Sequence, residues 1–331
     1  MVIPGPNSEH TAGASAPVAR GEFAAIERIR QALRGRLGDP PPSDVWMGDD
    51  SAVLGEVHGR LLLTTDVSVA GVHGDLEVVG IDDFGWKAMV AALSDIAAMG
   101  GDPTGAVVGV AGPPATDLDV LYEGIGAAAA SHGCPVVGGD LSTGTQLVVS
   151  VAVTGSVDEP PAPVLRSGAS PGDSIFVVGK LGASAAGLRV LREGRRAPSG
   201  ADPAASLLQA HLRPRALLAE GGAARRAGAT AMIDVSDGLA ADLGHLAAAS
   251  GIGFELDDLP VAEGATAQEA LGGGEDYALV VAVPFARRLL DAFAAAGLEE
   301  PVRVGVCTED PARRNLRGAP VTAPGFEHPW A

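Results

Sequence analysis

The sequence predicts an α+β protein built from two tandem α+β domains, and three observations carry that expectation. Strand-like and helical patterns alternate along the chain without the regular cadence of a βαβ series. A proline-dense run, Asp158-Glu159-Pro160-Pro161-Ala162-Pro163, interrupts the alternation near its middle and reads as an extended connector. At 331 residues one large core or two medium ones would fit, and the proline run favours two. The expected organisation is a disordered leader over 1–20, a first domain over 21–158 and a second over 164–331.

Taken in order, the apolar positions Phe23, Ile26, Ile29, Ala32 and Leu33 recur at helical spacing, so a first helix covers 22–33 and the Gly38-Asp39-Pro40 turn ends it. Residues 60–66 (RLLLTTD) read as a strand that offers Thr64 and Asp66 on one face and Thr65 on the other. A helix follows over 81–99, closed by Gly100-Gly101-Asp102-Pro103. The remaining first-domain expectations are a strand over 104–111, a helix over 118–131, a short strand over 135–137 and a long one over 146–157. In the second domain, strands are expected over 174–178, 230–233, 253–256, 277–283 and 302–306. Helices are expected over 183–192, 204–212, 215–226, 239–250 and 285–296.

Composition narrows the function. Hydrophobic residues make up 47% but aromatics only 4%, so the cores are expected to be filled by small aliphatic side chains. A formal charge of −18, with no concentrated Lys/Arg block, argues against nucleic acid and against anionic membranes as partners. Cys134 and Cys307 are far apart and lack metal-ligand spacing, which suits reduced thiols in a cytoplasmic protein. Residues 1–20 have neither the basic start nor the apolar core of a secretion signal, and no apolar run approaches bilayer-spanning length.

Five acidic clusters set the chemistry: Gly48-Asp49-Asp50, Thr64-Thr65-Asp66, Leu93-Ser94-Asp95, Gly138-Gly139-Asp140 and Asp234-Val235-Ser236-Asp237-Gly238. Each puts a carboxylate beside a small residue where an apolar run gives way to a turn or helix. Magnesium favours such oxygen ligands and meets proteins through a few carboxylates plus substrate phosphates. Most clusters also have an ordinary explanation. Gly48-Asp49-Asp50 suits an Asx turn and Thr64-Thr65-Asp66 a capped strand end. Asp95, in mid-helix on an Ala/Leu/Ile/Met background, has no inexpensive structural role. At 234–238 a capping role explains one of Ser236 and Asp237 but leaves Asp234 over, so carboxylates for metal and amides for phosphate are expected there. Gly272-Gly273-Gly274-Glu275-Asp276 is equally a flexible loop or a close approach to a ligand. No Walker A sequence, protein-kinase set or dinucleotide fingerprint is present. In Gly168-Ala169-Ser170-Pro171-Gly172 the proline removes the donor that an oxyanion hole would need.

In register, these clusters resemble the thiamine-monophosphate kinase family, within the superfamily of aminoimidazole-ribotide and selenophosphate synthetases. The resemblance runs from Gly21-Glu22-Phe23 to Phe326 and includes His73, Arg166-Ser167-Gly168 and Gly273-Gly274-Glu275-Asp276-Tyr277. It implies an N-terminal domain that pairs with its twin in a homodimer as a β-barrel-like core, and a C-terminal α/β sandwich that closes over the nucleotide. It also implies direct in-line transfer of the γ-phosphoryl group of ATP to thiamine monophosphate. Carried over by position, Asp49, Thr64, Thr65, Asp66, Asp95, Asp140, Asp234 and Asp237 would hold several Mg2+ ions. Tyr122, Gly139, Asp140, Arg166 and Ser236 would contact ATP, and His73, Glu275 and Phe326 the thiamine phosphate. Gly74 stands where the family commonly has Phe, so a wall of the acceptor pocket is missing or comes from elsewhere. An acceptor other than thiamine monophosphate, or a site that binds without turnover, remains open at this level.

Overall fold

The structure, a computed structural model, describes residues 21–47, 49–194, 203–322, 325–326 and 328. The expected leader, Gly48 and the end of the chain past His328 lie outside them. Among the described residues, no helix is long and apolar enough to cross a membrane.

The first half contains α1 (Glu22–Leu37), β1 (Arg60–Val69), α2 (Ile81–Ala98), β2 (Asp102–Gly112), α3 (Leu118–Ser131), β3 (Val136–Thr143) and β4 (Val148–Val157). Its four strands form one sheet in the order β1-β4-β2-β3, antiparallel except for the β2–β3 pair. Alternation along β4 buries Val149, Val151 and Val153 in the same core as Met89, Leu93 and Ile96 of α2 and Leu121 and Ile125 of α3. Each such aliphatic side chain contributes about 1.5–3 kcal/mol when fully buried. Two glycines let α2 and α3 meet backbone to backbone. A Cβ on Gly85 would stand 2.4 Å from the Leu121 carbonyl oxygen, and one on Gly124 would stand 1.7 Å from that of Asp82.

The second half adds β5 (Ser174–Val178), α4 (Ala183–Arg192), α5 (Pro203–Leu212), α6 (Leu218–Arg226), β6 (Ala231–Asp234), α7 (Leu239–Ser250), β7 (Gly253–Leu256), α8 (Ala267–Gly272), β8 (Leu279–Val283), α9 (Ala286–Ala295), β9 (Val302–Thr308), β10 (Arg314–Leu316) and β11 (Ala319–Pro320). These strands make a seven-stranded sheet, β11-β10-β7-β9-β5-β8-β6, that is antiparallel except for β10–β7. The run LVVAV of β8 is buried throughout because both faces are covered. Val280 and Ala282 share a core with Leu239 and Leu243 of α7, whereas Val281 and Val283 share one with Ala223 of α6 and Leu289 of α9.

The halves are joined along α2. A Cβ on Gly221 of α6 would lie 2.0 Å from the Ala97 carbonyl oxygen, so these two helices also run in close contact. Buried Arg225 donates to the carbonyl oxygens of Gly100 (2.9 Å), Asp158 (2.9 Å) and Pro161 (2.5 Å), which fixes the proline-rich connector. Arg213 pairs with Asp82 and Asp83, each at 2.6 Å.

The structure corrects several sequence expectations. Gly138-Gly139-Asp140 does not end a strand but lies within β3, where Gly139 and Asp140 pair with Val108 and Gly109. Thr64-Thr65-Asp66 is likewise interior to β1, because pairing with β4 continues through Val69. The segment before Gly273 forms α8, whose start has a capping box between Thr266 and Glu269. Strands β10 and β11 were not anticipated.

Candidate active site

Between the halves lies a cavity of about 480 Å³. Asp66 from β1, Asp95 from α2, Asp234 at the end of β6 and Asp237 from the loop that follows all line it. The interior position of Asp66 in β1 explains its aim: alternation places Thr64 and Asp66 on the face toward α2 and turns Thr65 away. Thr64 Oγ1 donates to Asp95 Oδ2. Ser94 Oγ donates to Asp234 Oδ2 at 2.7 Å, across the boundary between the halves.

Crowding of these acids is visible in their protonation. Burial first, and then the charges of Asp95, Asp234 and Asp237, pushes the Asp66 carboxyl up to about 7. Burial also raises Asp234 to about 6, with the Ser94 hydrogen bond opposing and Asp95 reinforcing the shift. Asp237 is raised as well, mainly by burial, with nearby His245, His328 and Arg166 opposing.

The loop before α7 is held differently from the sequence expectation. Asp242, one turn into α7, accepts the backbone N–H groups of Asp237 and Gly238, both at 3.0 Å. Those two amides are therefore engaged inside the protein and do not face a phosphate. Burial and the neighbouring Asp234 push Asp242 up to about 7. The signal that could have revealed it is an acid five residues after Asp237, at the start of a helix that lacks another side-chain cap.

A second group lines the same cavity. His73 Nδ1 accepts the Val69 N–H at 3.0 Å, and its ring lies edge-on to Phe326 with centroids 6.4 Å apart. Burial lowers the His73 pKa. Glu275 accepts from Lys87 Nζ at 2.8 Å. Lys87 is only 4% exposed, and Glu275 adopts a left-handed φ of 64°. Asp276 points the other way and caps α4, accepting from the N–H groups of Gly182 (2.5 Å) and Ser184 (3.0 Å). At Gly74, where the resemblance leads one to expect Phe, the Phe84 ring stands 2.8 Å from where a Cβ would be, and Phe84 lines the cavity. Lys87 was missed because a lysine in a helix ordinarily reads as a solvated face. Its place on the stripe Phe84, Lys87, Ala91, Asp95, all at helical spacing, was the available signal.

Of the remaining residues singled out in the sequence, all but Ser236 lie outside the lining of this cavity. Asp49 lines a separate cavity of about 310 Å³ beside Arg30 and Trp46. Thr65 and Asp140 are exposed on the sheet face away from α2. With β1 and β3 at opposite edges, three strand spacings of about 14 Å in total separate Thr64 and Asp66 from Gly139 and Asp140. Tyr122 is buried in the first core, where burial and then the Asp140 charge raise its pKa. Arg166 is exposed, close enough for its charge to favour ionised Asp234 and Asp237. Ser236 lines the main cavity beside Asp237. Among the described residues, no group of three or more acidic, His or Cys side chains is arranged to hold a metal ion unaided.

Comparison with known proteins defines the class first. Residues 48–157 match the AIR synthase related protein, N-terminal domain, and residues 170–314 match the corresponding C-terminal domain. The chain is 39% identical to thiamine-monophosphate kinase of Mycobacterium tuberculosis over 82% of its length and 84% of that protein. It is 36% identical to the Bacillus subtilis protein of the same name, over 71% of this chain and 76% of that one. The crystal structure of thiamine-monophosphate kinase from Stenotrophomonas maltophilia superposes with a TM-score of 0.78 at 31% identity, covering 88% of this chain and 96% of that one. A structure of AaThiL complexed with AMPPCP and TMP superposes at 0.73 and 32% identity, covering 93% and 97%. The chain belongs to the thiamine-monophosphate kinase family.

Proposed function

We propose that the protein transfers the γ-phosphoryl group of ATP to thiamine monophosphate, giving thiamine diphosphate and ADP in the cytoplasm by direct in-line attack. The observation that carries this reading is the single cavity where Asp66 and Asp95 of one half meet Asp234 and Asp237 of the other, in a chain whose relatives are thiamine-monophosphate kinases. The neighbour solved with AMPPCP and TMP supports a site of this fold that takes both partners of the transfer.

The donor set fits magnesium. Thr64, Asp66, Asp95, Asp234 and Asp237 offer oxygen alone, and like charges close together favour a divalent cation. Magnesium usually keeps water and substrate phosphate among its ligands, so a few such oxygens from the protein suffice. Bound there, magnesium would neutralise charge on the β- and γ-phosphate oxygens. Arg166 and Ser236 are read as ATP contacts, and His73, Glu275 and Phe326 as contacts to the acceptor. The attacking group is an already ionised phosphate oxygen, so the protein needs no strong base, and positioning is the main demand on it.

A homodimer completes the reading. Leu61, Leu63, Val67 and Val107 are 59%, 74%, 49% and 42% exposed on one face of the four-stranded sheet, opposite α2. A second copy packed there would cover them in a barrel-like pair of sheets. Thr65 and Asp140 share that face, so any role in metal or ATP binding belongs to the dimer, and Gly139 and Tyr122 lie near the same edge strand. Asp49, on its neighbouring loop, is also read as a metal ligand.

Phosphorus NMR of the protein with Mg-ATP and thiamine monophosphate tests the proposal. Thiamine diphosphate with ADP is the expected result. ADP formed only with another acceptor, or binding without products, would overturn it.

A further inference from the structure

The cavity has two chemically distinct ends, and the acids read as metal ligands stand at only one of them. Helix α2 runs along it, presenting Phe84, Lys87, Ala91 and Asp95 on one face. Lys87 and Asp95 are eight residues apart, which at helical rise is about 12 Å. Asp95 stands with Asp66 and Asp234. Around Lys87 the composition changes: Glu275, Ser184 and His211 gather there, all lining the cavity.

His211 is the feature that ordinary packing does not explain. It is 3% exposed, and its Nδ1 lies 3.0 Å from Ser184 Oγ. Among the described residues, its Nε2 has no hydrogen-bond partner. A polar atom left so in a buried position is uncommon, because nothing replaces the water that it lost. Nearby, buried Lys87 is neutralised by Glu275, whose Oε2 lies 3.8 Å from His211 Nδ1. Glu275 is fixed by that pair and by left-handed backbone at both Glu275 and Tyr277.

We propose that Lys87, Glu275 and His211 form one recognition unit for the heterocyclic end of the phosphate acceptor. In it Lys87 is a positioning residue that aims the Glu275 carboxylate, and His211 Nε2 is the polar atom that reads the ring. The inference rests on the function proposed above, which puts the acceptor's phosphate at the acid end. A phosphomonoester carrying two linked rings then spans the length of α2 between Asp95 and Lys87. With Lys87 already paired, this end suits a neutral, hydrogen-bonding ring such as an aminopyrimidine better than a second phosphate. Burial with the charges of Lys87 and Arg192 keeps His211 neutral, its pKa pushed down to about 3, so it can take part as donor or acceptor according to tautomer.

The test is steady-state kinetics of the full-length protein with Mg-ATP. Two acceptors are compared: thiamine monophosphate and its analogue with a hydroxyl in place of the pyrimidine amino group. In His211→Leu and His211→Gln the acceptor KM should rise about tenfold or more while the KM for ATP stays within about twofold, as expected when one substrate hydrogen bond is lost. The parent's preference between the two acceptors should shrink in both. Lys87→Met, which leaves His211 in place, should show the same defect confined to the acceptor, and Lys87→Arg should recover part of it. A parent that makes thiamine diphosphate while these variants keep its acceptor KM and preference overturns this inference alone. A parent that makes none overturns the function and the inference together.

Discussion

Ser94 on α2 donates a hydrogen bond of 2.7 Å to Asp234 on β6, joining residues 140 positions apart and tying the two halves at the point where the acids meet. Asp234 is buried, so this bond does more for it than a surface contact would. Ser94→Ala should cost about 1–3 kcal/mol of stability by leaving a buried carboxylate short of a donor. It should also raise the magnesium concentration needed for half-maximal turnover. Urea denaturation and a magnesium titration check the two parts, and unchanged values in both would mean that the bond is incidental.

Asp95→Asn and Asp234→Asn should each abolish turnover while the circular dichroism spectrum stays that of the parent. Both keep side-chain size and remove charge from the crowded acids. Chelation with EDTA should stop the parent enzyme, and added magnesium should restore it. Near-normal rates in both variants at limiting magnesium would contradict the assignment of these residues.

Leu63→Glu addresses the open sheet face. Leu63 is 74% exposed, so a charge there should not disturb the core. Sedimentation or light scattering should find the parent as a dimer and the variant as a monomer of unchanged secondary structure. A parent that is itself monomeric would remove the proposed interface.

His211 gives the fold an acid limit with a definite sign. Its pKa is about 3 in the fold, against an ordinary value near 6.5. Between those values the unfolded chain binds a proton that the folded protein rejects. Its contribution to stability is therefore intact above about pH 6.5 and falls as pH drops toward 3. Glu275 at 3.8 Å does not reverse this, being engaged by Lys87. Over that window the parent should lose up to about 1.4 kcal/mol per pH unit more than His211→Leu. Urea midpoints at pH 7, 6 and 5 would show the difference, and parallel curves would show that His211 protonates freely in the folded protein.

Much of this was legible in the residues, and what was not has identifiable reasons. The helix over 118–131, the strand over 174–178 and the helix over 239–250 coincide with α3, β5 and α7, because strong periodicity ends there at glycine, proline or polar turns. β3 was cut short because Gly138 and Gly139 read as a turn, whereas in the fold they are paired strand residues beside Val107 and Val108. β10 has three residues, too few for alternation to register, and depends on pairing with β7. Asp66, Asp95, Asp234 and Asp237 could be singled out because acids next to apolar runs are conspicuous. Lys87 and Asp242 left only faint signals, and His211 none, because each takes its meaning from a neighbour far away in the chain or one helical turn on. The split between Asp66 and Asp140 depends on strand order, which local pattern does not encode.

The contact at Gly221 reaches further than its distance from the cavity suggests. α6 is seated on α2 only because that position carries no side chain. The helix against which it is seated bears Lys87 and Ser94, while their hydrogen-bond partners Glu275 and Asp234 come from the other half. Anything larger at that spot would act as a wedge, spreading both ends of the cleft at once and loosening its grip on nucleotide and acceptor together.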